Sequence, residues 1–259
     1  MNTKADKNPN TIIWYYSAGI YLSALVLIEI IAISTSALIG SVLYFFMVLV
    51  QMLQAVRYWG QPGEQLYIGL MLAPLMRLFG FVLFLNYGKV ITQTFFIGIP
   101  IFVAVYLVKK VTNLTWAEVG FNFVSWMRLL LIGLSGVLIG GLQYLFTQQP
   151  VHPLSNWLEI SFAIIVLLGA GFLEELVFRG LLLRIAITNI GVWPGITFVA
   201  IILSIFQIGL LSPVFLVFVF LVGLVMGWLV YRTGSIFGVA LAHGLANLTF
   251  YLVVPVFLG

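Results

Sequence analysis

The chain has 259 residues, of which 63% are hydrophobic and only 7% are charged. A soluble domain is about 45–50% apolar and about 25% charged, so this composition excludes that class and indicates an integral membrane protein. The net charge of +4 comes from 11 Lys and Arg against 7 Asp and Glu. Because basic residues in a membrane protein mainly set its orientation, we expect no nucleic-acid partner.

Hydropathy divides the chain into about nine apolar segments, most of them near the roughly 20 residues that cross a bilayer as a helix. They cover residues 12–33, 36–57, 65–86, 94–108, 129–147, 157–183, 196–211, 214–231 and 236–258. The third segment contains Pro74 followed by Arg77, which predicts a kinked or broken helix. We therefore predict an all-α polytopic membrane protein in contact with membrane lipids.

The basic residues predict the orientation of these helices. With the N-terminus inside, the cytoplasmic ends hold Lys4, Lys7, Arg57, Lys109, Lys110, Arg128, Arg179, Arg184 and Arg232, while the outer loops hold only Lys89. Cytoplasmic loops are enriched in Lys and Arg, so this pattern predicts a cytoplasmic N-terminus and an outer C-terminus. The polar start of the chain lacks a signal-peptide pattern, so we expect the first segment to be retained. The expected location is a bacterial plasma membrane or another energy-transducing membrane.

The stretch between the fourth and fifth segments mixes aromatic with polar residues, a composition typical of the membrane interface. It divides the chain into three parts. We predict an N-terminal transmembrane extension of about four spans at 1–111, an interfacial linker at 112–128, and a core of about five spans at 129–259.

Three charged residues, Glu174, Glu175 and Arg179, lie inside the strongly apolar sixth segment. Each charge at membrane depth costs about 2.5–3.5 kcal/mol on insertion scales, so the group is a candidate functional site. Glu175 and Arg179 are four residues apart and can pair on one helix face. Glu174 points about 100° away. Two interpretations remain: a structural ion cluster between helices, or a Glu175–Arg179 pair that leaves Glu174 free to act on water.

The last segment carries His243 and Asn247, which share one helix face because they are four residues apart. A histidine bonded to an asparagine for helix packing is one interpretation. However, His243 and Glu174 are both about eight or nine residues from the inner ends of their segments, or about 12–14 Å deep at 1.5 Å per residue. The two side chains could therefore meet in one cavity open to the cytoplasm.

Other polar residues also lie at depth. Glu29 lies in the middle of the first segment, and Arg77 is its candidate partner in a structural pair. Gln207 lies deep in the seventh segment, where a hydrogen bond to a neighbouring helix would explain it.

The motif EExxxR at Glu174, Glu175 and Arg179 is followed about sixty residues later by Gly-Ser-Ile and then HxxxN at His243 and Asn247. This order and spacing resembles the CPBP family, which comprises CAAX prenyl proteases and bacteriocin-processing proteins and is also called the Abi family. The resemblance covers roughly residues 125–255. It implies a CPBP-type helical bundle with a cavity open toward the cytoplasm, preceded here by the N-terminal four-helix extension.

The resemblance also implies roles for the motif residues. Glu174 would activate a water molecule to attack a peptide carbonyl, and His243 and Asn247 would stabilise the oxyanion. Glu175 and Arg179 would support this arrangement. The residue types suit such chemistry because a buried carboxylate can serve as a base and paired donors stabilise developing charge.

The chain departs from the family in a second motif, FxxxH, where Phe206 is present but Leu210 replaces the histidine. Loss of a proton-transfer partner typically costs about 10²–10⁴-fold in rate. Gln207 is a substitute polar group that could orient water but cannot transfer a proton. Glu174, Glu175 and His243 would form a poor Zn²⁺ site, and the chain has no Cys, so we expect no metal and no cofactor.

These observations leave two functions open. The first is an intramembrane endopeptidase that cleaves a hydrophobic or lipid-modified peptide near the cytoplasmic face. The second is a catalytically inactive relative that acts as a binding, assembly or accessory subunit of a larger membrane complex. Whether the chain is an enzyme stays open at this point. A transporter is less favoured because the sequence shows no inverted repeat.

Overall fold

The computed structural model describes residues 11–61, 63–84, 90–147 and 156–258. These residues are almost entirely helical and contain no strand. The helices in chain order are α1 (Thr11–Ser34), α2 (Ala37–Arg57), α3 (Glu64–Leu70), α4 (Leu72–Phe84), α5 (Val90–Val111), α6 (Trp126–Thr147), α7 (Trp157–Glu175), α8 (Leu183–Ile190), α9 (Val192–Ile205), α10 (Pro213–Thr233), α11 (Phe237–Leu248) and α12 (Val254–Leu258). Two π-helical segments, Leu176–Leu182 and Thr249–Val253, join α7 to α8 and α11 to α12.

Within the described ranges, seven helices are long and apolar enough to cross a membrane. They are Trp14–Ser34, Ala37–Arg57, Thr94–Val111, Trp126–Thr147, Trp157–Ile190, Pro213–Thr233 and Phe237–Phe257. The prediction of an all-α multi-pass membrane protein is therefore confirmed. The basic residues Lys4, Lys7 and Lys89, which entered the orientation prediction, lie outside the described residues.

The other two predicted segments are helical but interrupted or short. The third is divided between α3 and α4 by a turn at Met71. Pro74 accounts for this break, because its ring clashes with the carbonyl four residues earlier, at Leu70. The seventh predicted segment corresponds to α9, which has 14 residues and ends at Ile205, six residues before the predicted end.

Close helix packing positions α11 at the centre of the predicted core region, where it lies against both α6 and α7. A Cβ atom on Gly136 or Gly140 of α6 would fall on the carbonyl oxygen of Ala242 or Ala246. Small residues at such positions let helix backbones approach closely in a membrane. The face of α11 that bears these alanines is therefore held tightly against α6.

The N-terminal helices pack directly on the predicted core. The Tyr15 hydroxyl donates a hydrogen bond to the carbonyl of Ile190 at 3.0 Å. Buried side chains from α1, α3, α5, α8 and α9 belong to one hydrophobic cluster. The division at 112–128 stays a prediction, since helices on both sides of it share this cluster.

The predicted linker forms a compact turn that contacts the start of α11. The amide of Ile236 donates a hydrogen bond to the carbonyl of Gly120 at 3.0 Å, and the Asn122 side chain donates to the carbonyl of Gly234 at 2.9 Å. Glu118 accepts hydrogen bonds from the backbone amide and the hydroxyl of Thr115, which hold the pKa of this carboxyl below its ordinary value. The linker, which follows α5 in the chain, is thus held against the α10–α11 turn by hydrogen bonds.

The contact between α6 and α11 can be tested with a matched pair of glycine variants. We expect Gly136→Ala to destabilise the protein by about 1–3 kcal/mol, because its Cβ would overlap the Ala242 carbonyl and force the helices apart. Gly141→Ala, on the same helix, is the control, since a Cβ there meets nothing within 4 Å. Thermal unfolding in detergent micelles measures both. Equal midpoints for the two variants would contradict the packing described.

Candidate functional site

The EExxxR motif lies where α7 passes into the first π-helical segment. Arg179 Nη1 donates a hydrogen bond to Glu175 Oε1 at 2.7 Å, so the pair anticipated from the i, i+4 spacing is present. The Glu175 side chain is only 3% exposed, whereas that of Glu174 is 39% exposed. The two neighbouring carboxylates therefore differ in environment: one is buried and paired, and the other is accessible.

His243, which is on α11, lies close to both carboxylates. Its Nδ1 lies 2.9 Å from Glu175 Oε1, and its Nε2 lies 3.7 Å from Glu174 Oε2. This arrangement depends on a close approach of the two backbones, because a Cβ on Gly171 would lie 2.6 Å from the backbone nitrogen of Gly244. The acid of the sixth predicted segment and the imidazole of the ninth therefore face each other.

The contact with Glu175 determines which nitrogen of His243 carries the proton. A carboxylate only accepts hydrogen bonds, so Nδ1 of His243 donates to Glu175. The other nitrogen, Nε2, then carries no proton and can accept one on the side that faces Glu174. A histidine oriented by a carboxylate in this way is the arrangement used for general acid–base chemistry.

A cavity of about 140 Å³ adjoins these groups and has room for several water molecules. Its polar lining consists of Gln143, Glu174, Glu175, Arg179, Gln207 and His243. Its apolar lining comes mainly from α10, with further side chains from α6, α9 and α11. Charged and neutral polar groups from several helices thus meet in one partly enclosed, mostly apolar chamber.

Two buried atoms of the site lack a protein partner. Glu175 Oε2 and Arg179 Nε are both buried, and neither makes a hydrogen bond to another described residue. An unsatisfied buried polar group costs about 1–3 kcal/mol, and more when it is charged. Because the adjoining cavity can hold water, we expect ordered water to bond to these atoms.

Asn247 does not lie with the other motif residues. Its side-chain nitrogen lies 3.4 Å from the carbonyl of Leu167, and the residue is not part of the cavity lining. The geometry therefore fits a contact between α7 and α11 better than the oxyanion role implied by the family resemblance. Asn247 as an oxyanion donor remains a prediction without geometric support.

The substituted position of the FxxxH motif lies outside the helix that precedes it. After α9 ends at Ile205, residues Ile208–Leu210 form a single 3₁₀ turn. Leu211 then adopts a left-handed conformation with φ of 52°. Leu210 does not line the cavity described above, whereas Gln207 does. The cavity-lining residue nearest in sequence to Leu210 is therefore Gln207, whose side chain is an amide.

Gln143 lines the chamber but was not singled out from the sequence. The available signal was an amide within the otherwise apolar fifth segment. The contacts of Gly136 and Gly140 with α11 determine which side of α6 faces the cavity. The sequence alone does not show that α11 is the helix that these glycines meet.

The described residues contain no group of three or more His, Asp or Glu arranged to hold a metal ion. Glu175 Oε1 is already shared by Arg179 and His243. A guanidinium on the buried carboxylate repels a divalent cation, so the residues present do not fit a metal centre.

Residues 156–249 match the family described as Type II CAAX prenyl endopeptidase Rce1-like. The predicted CPBP resemblance is therefore confirmed over this segment. It contains the EExxxR motif, the altered FxxxH region and both residues of the HxxxN motif. No curated protein and no solved structure matches the chain.

The buried ion pair and an exposed one nearby allow a matched test. We expect Arg179→Leu to lower the free energy of unfolding by about 3–5 kcal/mol, because it leaves the buried Glu175 carboxylate without its cation. Arg184→Leu is the control. Arg184 lies 3.8 Å from Glu118, both side chains are well exposed, and such pairs contribute only about 0–1 kcal/mol. Unfolding by SDS in mixed micelles compares the two, and equal losses would contradict a buried, paired Glu175.

Proposed function

We propose that the chain is an intramembrane endopeptidase that cleaves a hydrophobic or lipid-modified peptide with a water molecule activated by Glu174. The observation that carries this proposal is the geometry around His243. Its Nε2 faces the accessible Glu174 carboxylate at 3.7 Å, while Glu175 holds its other nitrogen. This separation exceeds a hydrogen bond, but one water molecule at about 2.8 Å from each atom fits it.

The proposed reaction uses this water directly. Glu174 removes a proton from the water, whose oxygen adds to the carbonyl carbon of the scissile peptide bond to give a tetrahedral oxyanion. As the carbon–nitrogen bond breaks, the proton passes to the leaving amine. His243, oriented by Glu175, can shuttle this proton through Nε2. In this scheme His243 takes the proton-transfer role expected of the absent FxxxH histidine, instead of the oxyanion role implied by the resemblance.

The amides around the cavity provide neutral donors for the developing oxyanion. Gln143 and Gln207 both line the chamber that contains Glu174 and His243. A donor in such a partly enclosed site stabilises negative charge more strongly than it does in water. We assign this supporting role to Gln207 and leave Glu175 and Arg179 as the group that orients His243.

The cavity wall and the description of the matched family support the proposed substrate class. The wall on α10 is formed by Phe215, Phe218, Val219, Val222, Gly223 and Met226. Such a surface suits an apolar or prenylated peptide, in keeping with the description of the matched family. The basic residues support a cytoplasmic N-terminus. We propose that cleavage occurs near the cytoplasmic face of a bacterial plasma membrane or another energy-transducing membrane.

The base is tested by substitution of Glu174. We expect Glu174→Gln and Glu174→Ala each to lower kcat/KM by about 10²–10⁴-fold, because neither side chain can accept the proton from water. Glu118→Gln, an exposed linker variant, should cleave at the parent rate. The assay uses protein in liposomes with a fluorogenic farnesylated CAAX peptide and its unprenylated counterpart. Normal cleavage by both Glu174 variants would exclude the mechanism, and cleavage of neither peptide by the parent would exclude these substrates.

The altered FxxxH motif gives a separate test. We expect Leu210→His to leave kcat/KM unchanged, because residue 210 lies in the 3₁₀ turn outside the cavity lining. A rise of about tenfold, equivalent to about 1.4 kcal/mol of transition-state stabilisation, would show that the position does reach the reaction. The same peptides and liposomes are used, with Leu211→His as the neighbouring control.

A second candidate function is a catalytically inactive subunit that binds a membrane protein or peptide, or assists assembly of a larger complex. The observation that favours it is the apolar residue at the histidine position of FxxxH. It predicts a stoichiometric membrane partner on purification and full biological function in Glu174→Gln. Loss of function in that variant would favour the peptidase.

A further inference from the structure

A second buried ion cluster lies among the N-terminal helices, apart from the motif residues. Arg77 of α4 donates from Nε and Nη2 to the two carboxylate oxygens of Glu29 on α1, at 2.5 and 2.8 Å. The Tyr44 hydroxyl of α2 donates to the same carboxylate at 2.6 Å. Glu29 is completely buried. The cluster therefore joins three helices and fixes the plane of the Arg77 guanidinium.

The guanidinium also contacts an aromatic ring outside the N-terminal helices. Its central carbon lies 4.7 Å from the ring centre of Phe81 and 5.4 Å from that of Phe206. Both distances lie within the range of a cation–π contact. Phe206 follows the last residue of α9 and is the retained aromatic of the altered FxxxH motif. Arg77 thus links the N-terminal helices to the end of α9.

Phe206 stands beside the chamber. The next residue, Gln207, is part of the cavity lining. The Phe206 ring packs against Phe178 with 6.1 Å between ring centres, and Phe178 precedes Arg179 of the buried pair. Phe206 is therefore next in sequence to one residue of the cavity lining, and its ring contacts the neighbour of a second.

The segment that contains Phe206 and Gln207 has little regular secondary structure. Helix α9 ends at Ile205, and the backbone continues through the turn bonds Gln207 to Ser204 and Leu210 to Gln207. Short segments of this kind depend on tertiary contacts for their position. Helix α1 supplies a further contact, because the side chain of Ile33 lies next to Gly209.

We propose that Arg77 is a positioning residue that holds Phe206 and thereby fixes Gln207 in the wall of the chamber. The N-terminal helices then help to position a wall of the cavity, although none of their described residues lines it. A buried ion pair contributes little net stability compared with apolar residues of the same volume, so stability alone does not account for its presence. The proposal holds whether or not the chamber cleaves peptides.

The test needs no substrate, so its failure is distinct from failure of the proposed peptidase. The chain contains no Cys, and Gln207→Cys therefore introduces a single thiol. The rate of its modification by a small water-soluble methanethiosulfonate reagent reports access to this wall. The control probe is Gln143→Cys, which is on α6 in the same cavity. Both probes are compared in the parent and in a Glu29→Gln/Arg77→Leu background, where the new amide at position 29 still accepts from Tyr44 and no buried charge is left unpaired.

We expect the double substitution to raise the modification rate at position 207 by about five- to thirtyfold, the range for loss of a contact of one or two kcal/mol. The rate at position 143 should stay the same. Arg77→Lys keeps a cation beside Glu29 and Phe206, and it should restore much of the parent rate at position 207. Equal changes at both positions would indicate a purely structural role, and no change at position 207 would show that Arg77 does not hold the turn. Either result overturns the proposal.

Discussion

One carboxylate oxygen, Oε1 of Glu175, is the contact on which the arrangement of the site depends. It accepts hydrogen bonds from Arg179 on its own helix and from His243 on α11. The charge of Glu175 is thereby compensated although its side chain is almost fully buried. Because the same oxygen binds both partners, the rotation of the imidazole is fixed relative to the π-helical segment. Glu174 faces Nε2 of His243 because the adjacent residue, Glu175, fixes the orientation of the imidazole.

The two buried ion clusters differ in how completely their polar atoms are satisfied. Around Glu29, both carboxylate oxygens accept from Arg77, and a tyrosine hydroxyl adds a third bond. Around Glu175, one carboxylate oxygen and the Nε of Arg179 have no partner among the described residues. The carboxylate of the first cluster has both oxygens bonded, whereas the second cluster still has buried atoms available for water or a ligand. The ring of Phe206 contacts Arg77 of the first cluster and also Phe178, the residue before Arg179 of the second.

Periodicity and spacing predicted the larger features of this structure. The apolar segments correspond to helices, Glu175 pairs with Arg179 four residues later, and similar depths in the membrane anticipated that Glu174 and His243 would meet. Which neighbouring helix or cavity each polar side chain faces could not be predicted, because it depends on how the helices pack. Asn247 contacts a backbone carbonyl across the α7–α11 interface, and Gln143 faces the chamber because α6 packs closely on α11. The end of α9 at Ile205 depends on the turn and on contacts from distant helices, which local sequence does not encode.

The π-helical segment Leu176–Leu182 has a consequence for comparing this chain with its relatives. It widens one turn of a 34-residue helix, so the part before Glu175 and the part after Leu182 are not in the same rotational phase. One additional residue turns everything that follows by about 100°. An ungapped alignment with a homologue whose helix is uninterrupted would therefore slip by one position beyond the motif, and outward-facing residues would be matched with inward-facing ones. Some of the sequence differences along α8 in such an alignment would then come from this one-position shift and not from substitutions at equivalent positions.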